Sequence, residues 1–413
     1  MGHILTTRTK NNARTHHAVI IGGVCLFMSQ KVLATALFNH IIEPYVSTAL
    51  TYDSNVLRLP NNFTPDLNNN KSSKSSFIKQ VKAGAAAKWQ ISQQQLIADV
   101  SVNQNWYSTY NELNYTGYNI LGQWDWQLGK KLKGEITYNH SKMLNSFEQI
   151  NRLISNLEKA ENYIANGSYE FLPDWYLRSG FTRTRTYYPA VERQQSNLRE
   201  VSKEFGLRYL NSLENMMEFR MTMTDGRYTN RNEFDSLDNT YTRVNYDLGG
   251  MWNYSVKTRI RAEIGYVSQK FTHVTSRNFS APVARSDILW QATAKSSLFL
   301  EVWREVHTID TLNASFALAQ GAKLTPIWKW SETPRIDVEL PISYEKQTSL
   351  GFNGDPTIVA QQGIQRIARL NLNYVPRPNI EMSAFAAYEN RSTNDPTHTY
   401  QDQSVGFTMK VSF

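Results

Sequence analysis

The chain has one cysteine in 413 residues, Cys25, and it falls in an N-terminal segment expected to be removed. Neither disulfides nor thiolate metal sites then hold the mature protein together. No stretch approaches the ~20 consecutive apolar residues of a spanning helix, which excludes a helical membrane protein. Excess charge of one sign is scarce as well. Four basic and no acidic residues precede Leu37, so removing them takes 44 Lys+Arg to 40 against 36 Asp+Glu, a net +4. That balance gives little support to a nucleic-acid partner. Enzyme signatures are missing: no nucleophile elbow, Gly-rich phosphate loop or zinc motif occurs. His40, His140, His273, His307 and His398 are scattered without metal-ligand spacing. Asp53 and Asn55, with Asp66 nearby, offer oxygens to a calcium ion, though a solvated loop is the simpler reading. The expectation is no catalysis, no cofactor and no bound metal.

What the chain has in quantity is aromatic rings. It carries 22 Tyr, 18 Phe and 10 Trp at 19% charged residues and a mean hydropathy of −0.49. Transmembrane β-barrels reconcile the two, because only alternate residues meet lipid and rings gather at both interfaces. Residues 1–36 read as a secretory signal peptide. Arg8, Lys10 and Arg14 make a basic start, Ala18 to Met28 is an apolar run, and Ala34-Thr35-Ala36 supplies small residues for cleavage. A short buried helix is the alternative for the run. Val24 is branched where a lipid-attachment signal wants a small residue, so no lipid anchor is expected. Cleavage near Ala36 leaves one domain, 37–413.

From Ile41 onward the sequence alternates with period two, the mark of strands wet on one face. Ile260, Ala262, Ile264 and Tyr266 oppose Arg259, Arg261 and Glu263. Ile336, Val338, Leu340, Ile342 and Tyr344 oppose Arg335, Asp337, Glu339 and Glu345, and Met217, Phe219, Met221 and Met223 oppose Glu218 and Arg220. Short breaks fall at Gln90–Ser92, Leu128–Lys130, Pro173-Asp174, Ser212–Glu214, Tyr254–Val256, Thr293–Lys295, Ser331–Pro334 and Val375–Pro378. Longer connections lie between them, at Asn55–Ser76, Leu144–Asn162, Tyr187–Asn197, Thr229–Asn239, His273–Ala284, Leu350–Gly363 and Arg391–Thr399. Tight periplasmic turns alternating with longer extracellular loops describe a bacterial outer-membrane barrel. Eight tight turns predict an all-β, antiparallel, up-and-down barrel of about 18 strands, or 16 if an end strand is not integrated. Ile309–Leu312 is the shortest outer connection. The insert Ser146–Gly167 has partly helical spacing, yet a strand from about Asn162 to Phe171 is needed to pair with Trp175–Thr186.

Trp89, Trp124, Trp126, Trp175, Trp252, Trp290, Trp328 and Trp330 all sit near the tight turns, as an interfacial belt requires. If the apolar parity faces lipid, the other faces the lumen. Candidate solute-contacting residues there are Arg208, Glu218, Arg220, Arg259, Arg261, Glu263, Glu301, Trp303, Glu305, Asp337, Glu339 and Arg369. Glu204, Glu345, Glu381 and Glu389 share that parity. Mixed signs exclude a single-sign selectivity ring. They suit a hydrated, sugar-like solute, and the bland alternative is pairing across strands to stiffen the wall. His307 is placed to pair with Glu305. Paired carboxylates such as Glu301 and Glu305 are too common in a charged wall to imply glycosidase chemistry.

Just after the signal comes Pro44-Tyr-Val-Ser-Thr-Ala-Leu-Thr-Tyr-Asp-Ser-Asn-Val-Leu-Arg58. With Leu172-Pro-Asp-Trp-Tyr-Leu177, Thr224-Asp-Gly-Arg-Tyr228, Tyr374-Val-Pro-Arg-Pro378, Glu389-Asn-Arg-Ser392 and the closing Phe413, it resembles one family. This is the exosortase-associated extracellular-polysaccharide outer-membrane β-barrel family (EpsL-type, β-barrel porin 2 group). The resemblance implies an outer-membrane channel that exports an exopolysaccharide, working with periplasmic or inner-membrane export proteins because a barrel has no energy source of its own. A general diffusion porin for small hydrophilic solutes is the alternative. The chain ends FTMKVSF, with Val405, Phe407, Met409, Val411 and Phe413 on one face. That reads as a closing strand in contact with outer-membrane lipid. Its terminal Phe413 is the kind of signal that barrel-assembly machinery takes up, and its pairing partner is expected near Pro44–Tyr52.

Overall fold

A computed structural model of the protein describes residues 39–413 apart from 64–72, 149, 151, 233–237, 312–313, 333–334 and 351–361. The expected signal segment 1–36 and Asp66 therefore lie outside the described residues. The alternating sequence forms β1 (Asn39–Asp53), β2 (Ser76–Ile91), β3 (Gln94–Tyr107), β4 (Tyr115–Leu128), β5 (Leu132–Leu144) and β6 (Leu157–Leu172). It continues with β7 (Trp175–Tyr187), β8 (Leu198–Leu210), β9 (Met216–Tyr228), β10 (Thr240–Ser255), β11 (Thr258–Phe271) and β12 (Phe279–Trp290). The last third holds β13 (Ser296–Thr311), β14 (Ala314–Glu332), β15 (Arg335–Glu339), β16 (Ile342–Leu350), β17 (Gln362–Arg377), β18 (Ile380–Thr393) and β19 (Tyr400–Ser412).

Each strand pairs antiparallel with the next, β15 and β16 excepted. β15 and β16 both lie between β14 and β17, so they are two halves of one stave, and the barrel has eighteen staves. The break is at Leu340-Pro341, where proline has no N–H to give the ladder. The Leu340 N–H reaches the Pro326 carbonyl at 3.1 Å, and the Pro341 carbonyl accepts from Arg369 N–H at 3.0 Å, so the wall stays hydrogen-bonded. β19 closes the sheet on β1 from Tyr45↔Ser412 to Asp53↔Ser404, the partner its sequence pattern predicts. No edge is then left unpaired at the seam, as lipid demands.

Seven of the eight short breaks are turns at one rim; the eighth, Ser331–Pro334, lies partly outside the described residues, between the paired Glu332 and Arg335. Three of them put a non-glycine residue in the left-handed region, Ser92, Asp174 and Glu214. Two outer connections are shorter than the sequence pattern suggests. β6 starts at Leu157 rather than near Asn162, and β12 starts at Phe279 rather than after Ala284. In both cases polar residues that read as loop alternate in register with a neighbouring strand, and the ladder satisfies their backbone. No helix forms over the described part of Ser146–Gly167. One turn remains there, the Phe147 carbonyl accepting from Ile150 N–H at 3.0 Å. Two of its apolar residues, Phe147 and Ile154, instead pack inward, as described below.

The outer surface confirms the parity. Leu50, Phe219, Ile264, Leu370, Val405 and Phe407 are all exposed, a pattern that water would penalise and lipid rewards. Trp124, Trp252, Trp290, Trp328 and Trp330 are exposed at the tight-turn rim, while Trp106 is exposed near the opposite one. The folded chain is thus an outer-membrane β-barrel.

Candidate solute path along the inner wall

The outer mouth is narrowed from inside. The connection after β1 does not stand in solvent; Val56, Leu57 and Leu59 are buried with Tyr107, Tyr110, Leu113 and Phe147. Inward-facing Ile78 and Tyr115, with Leu144 and Ile154, pack around them. Phe147 and Ile154 come from the insert Ser146–Gly167, and it is in this cluster, not in a helix, that they are packed. Between Val56 and Leu59 the chain turns through Arg58 at φ 54°. The Arg58 guanidinium meets Asp53 at 3.1 Å, Asp402 at 3.3 Å and Glu389 at 3.6 Å, and lies over the Tyr400 ring.

Asn55 completes this anchor. Its side-chain carbonyl accepts from Leu59 N–H at 2.8 Å, and its amide donates to the Leu59 carbonyl at 2.9 Å. Ser54 donates to Asp402 at 2.9 Å, and Asn61 N–H reaches the Thr399 carbonyl at 3.1 Å. Asp53 and Asn55 are therefore not part of a solvated loop. The cation between Asp53, Asp402 and Glu389 is the guanidinium of Arg58. From the other side the segment after β5 reaches across the mouth, where Glu148 pairs with Arg391 of β18.

A second anchor sits at Asp238, fully buried at φ 57° just before β10. It accepts from the backbone N–H of His273 at 2.6 Å and Val274 at 2.8 Å, and from the His273 ring at 3.0 Å. Burial alone would raise its pKa, but these bonds outweigh it and bring the carboxyl down to about 2. Stability from a carboxyl held below its unfolded value of about 3.9 is complete above that pH and lost as pH falls through about 2. Asp238→Asn is expected to cost on the order of 2 kcal/mol at pH 7. Denaturant unfolding should show the gap to wild type closing near pH 2; a gap independent of pH would refute the assignment.

Below the mouth the inner wall divides into two kinds of surface. From β3 to β7 amides and hydroxyls predominate, with the acids Asp99, Asp125, Glu135 and Glu158 of the same parity among them: Asn119 opposes Ser101 and Ser141, Asn139 opposes Asn162, and Thr184 follows on β7. From β7 to β17 it is a ladder of ion pairs. Glu218 accepts from Arg208 Nε at 2.7 Å and pairs with Arg178, which stands 3.8 Å from Glu204. Arg220 bridges Asp247 at 3.2 Å and Glu263 at 3.1 Å. Glu301 joins Arg285 and Lys323, each at 2.8 Å, and Arg261 lies 3.8 Å from Asp287. Arg335 meets Asp337 at 3.0 Å, and Glu305 meets His307 at 2.9 Å as their spacing suggests.

All twelve candidate residues from the sequence share the inward parity, but they do not converge on one pocket. Most are paired across or along strands, the stiffening role, and the outer connections rather than the ladder narrow the mouth. Trp303 does not project. Its indole N–H donates to Glu345 at 2.9 Å, and the ring lies flat over Gly321, where any Cβ would overlap it. Glu339 follows Asp337 on the same face, opposite Ile327 of β14. Arg369 and Arg259 differ from the rest: among the described residues neither has a carboxylate within 4.0 Å. Arg369 stacks on Phe385, 3.8 Å from the ring centroid, and donates to Asn371 at 2.7 Å.

Sequence reasoning missed Arg178, Asp247, Asp287, Arg285 and Lys323, although each has the inward parity of its strand. It also passed over the amides and hydroxyls of β3–β7, which carry no charge to draw attention. A further apolar cluster lies toward the outer mouth. Phe279 stacks on Phe316 at 4.1 Å beside Val267 and Ala281. It lies where β12 and β13 stop pairing beyond Ala284↔Arg304, and Pro282 occupies that unpaired stretch. A residue without an N–H fits an edge.

No family model matches the sequence, and no curated protein does either. Solved structures do resemble the fold. The outer membrane protein OpdK from Pseudomonas aeruginosa superposes with a TM-score of 0.52 at 8% identity, over 90% of this chain and 99% of that one. Pseudomonas aeruginosa OccK2 (OpdF) in complex with glucuronate gives 0.51 at 9%, over 91% and 98%. A BenF-like porin from Pseudomonas fluorescens Pf-5 gives 0.51 at 8%, over 91% and 99%. At these identities the likeness is one of architecture.

Proposed function

We propose that this barrel is a passive channel for small hydrophilic solutes, and that its two-sided lumen favours hydroxylated molecules bearing a carboxylate. The observation that carries the reading is the division of the inner wall. Amides and hydroxyls of β3–β7 face a charged wall in which Arg259 and Arg369 have no carboxylate partner within 4.0 Å among the described residues. A sugar acid has hydroxyls for the first side and an anion for the second. Glucuronate, bound in the OccK2 structure, is a solute of that chemistry. Eighteen staves leave a water-filled bore unless loops fill it, and here the loops narrow the outer mouth. Weak, multiple contacts admit a solute and still release it.

The test is conductance in planar bilayers with and without glucuronate. Concentration-dependent blocking by glucuronate, stronger than by neutral glucose, supports the reading, and equal responses to both refute it. Arg259→Ala/Arg261→Ala is expected to shift ion selectivity toward cations while the barrel still assembles. The shift should be large in 0.1 M KCl, where the Debye length is about 10 Å, and small in 1 M KCl, where it is about 3 Å. Failure to assemble would mean that this face is structural only.

Export of an extracellular polysaccharide is the second reading, favoured by the Tyr52-Asp-Ser-Asn-Val-Leu-Arg58 resemblance. Nothing in the structural comparisons points to a polymer. Deleting the protein separates the two: polymer retained in the periplasm supports export, and unchanged surface polymer with reduced small-solute uptake supports the diffusion channel.

A further inference from the structure

The lipid-facing side of β7, β8 and β9 carries a feature that a channel does not need. Arg185 of β7 stands directly opposite Arg199 of β8, and Arg199 stands directly opposite Arg227 of β9. All three are exposed and share the outward parity of Phe181, Phe205 and Met223. Like charges in register on adjacent strands, with Cβ atoms about 5 Å apart, destabilise a sheet. Among the described residues none of the three has a carboxylate within 4.0 Å. The outward acids nearby are otherwise engaged. Glu161, opposite Arg185 on β6, accepts from the Tyr163 hydroxyl at 3.1 Å, and Asp225 accepts from Thr242 at 3.3 Å. Arg183, one step toward the membrane centre, and Lys203, two steps, are also exposed and outward and extend the basic surface.

Height on the wall says what the row faces. Trp175 and Tyr209, in ring contact at 5.2 Å, mark the interface at the tight-turn rim. At about 3.4 Å per residue and a tilt near 40°, a strand climbs roughly 2.6 Å per residue. An apolar band of about 25 Å is therefore crossed in about ten residues. Ten residues from Trp175 is Arg185, and ten back from Tyr209 is Arg199. The row stands at the level of the outer-leaflet head groups, on the rim that carries the long connections.

We propose that Arg185, Arg199 and Arg227 form a binding site for the phosphate groups of the glycolipid in the outer leaflet. Guanidinium groups grip phosphate oxygens in pairs, and a phosphate between neighbouring arginines turns their mutual repulsion into attraction. The acyl chains of the same molecule lie along Phe181, Phe205 and Met223 below. The site is on the outside of the wall and independent of any solute in the lumen.

The experiment titrates the purified barrel with lipid A carrying both phosphates and with enzymatically dephosphorylated lipid A, reading bound lipid by native mass spectrometry. The phosphorylated form is expected to bind more tightly. Arg185→Gln/Arg199→Gln/Arg227→Gln should weaken it about a hundred-fold, from roughly five-fold per lost charge at a charged lipid surface. Lys130→Gln/Lys257→Gln/Lys295→Gln, which removes three charges at the opposite rim, should bind as wild type does. Heat-modified gel migration checks that each variant is a folded barrel. The site is refuted if the arginine variant binds phosphorylated lipid A unchanged, if wild type binds both lipids equally, or if the arginine variant loses a barrel–barrel contact while its lipid binding stays intact.

Discussion

Replacing Arg58 with alanine should open the outer mouth and destabilise the barrel together. Three carboxylates, of Asp53, Asp402 and Glu389, share this one guanidinium, and the side chains of Asp53 and Asp402 are only 4% and 2% exposed. Removing one partner of a buried ion pair costs about 3–5 kcal/mol, because the charges left behind stay out of water. Here the acids have an escape: the segment 54–63 can leave the lumen and let water in. Single-channel conductance is therefore expected to rise, and residues 54–63 should become cleavable by added protease. Arg58→Gly relieves the left-handed backbone but loses the same charge, so it should behave like alanine. Arg58→Lys restores a charge without the planar fork that reaches several acids at once, and should fall between the two. An unchanged conductance with a protease-resistant segment would show that the apolar cluster around Leu57 holds the mouth by itself.

Glu218→Ala should be the most damaging single change in the ladder. Glu218 is 5% exposed and is shared by Arg208 of the adjacent β8 and Arg178 of β7 beyond it. Without it two guanidinium groups face each other with only Glu204, 3.8 Å from Arg178, to balance them. A loss of about 3–5 kcal/mol is expected, read as a lower denaturant midpoint in detergent. Glu218→Gln keeps the hydrogen-bond acceptor and should lose less. A midpoint within about 1 kcal/mol of wild type would place this pair among exposed ion pairs of small worth.

The two experiments probe different parts of the wall, and they were not equally legible beforehand. Alternation alone gives the inward parity of Glu218, Arg208 and Arg220, because side chains on a strand have a period of two. It does not say which inward residue meets which, since that depends on the stagger between neighbouring strands. Arg178 contacts Glu218 from two strands away, across the Gly206 level of β8, and no local spacing announces such a pair. Arg58 stood in the sequence only as the last residue of the Pro44–Arg58 stretch that carries the family resemblance. Its partners Glu389 and Asp402 lie more than three hundred residues along the chain and arrive only when β19 closes on β1.

The arginine row makes the same point on the other face. Arg185, Arg199 and Arg227 are separated by fourteen and twenty-eight positions in the numbering, with ordinary neighbours, and only the register of β7, β8 and β9 sets them side by side. Turn chemistry and alternation are local, so the sequence by itself determined the barrel class, the rim at which the tight turns lie, the lipid-facing parity, and the partner of the closing strand. Inward folding of the outer connections, the split between an amide wall and a charged wall, and the meeting of distant charges were decided only in the closed structure. Those features arise from contacts between strands far apart in the chain, and closure is what brings them within reach.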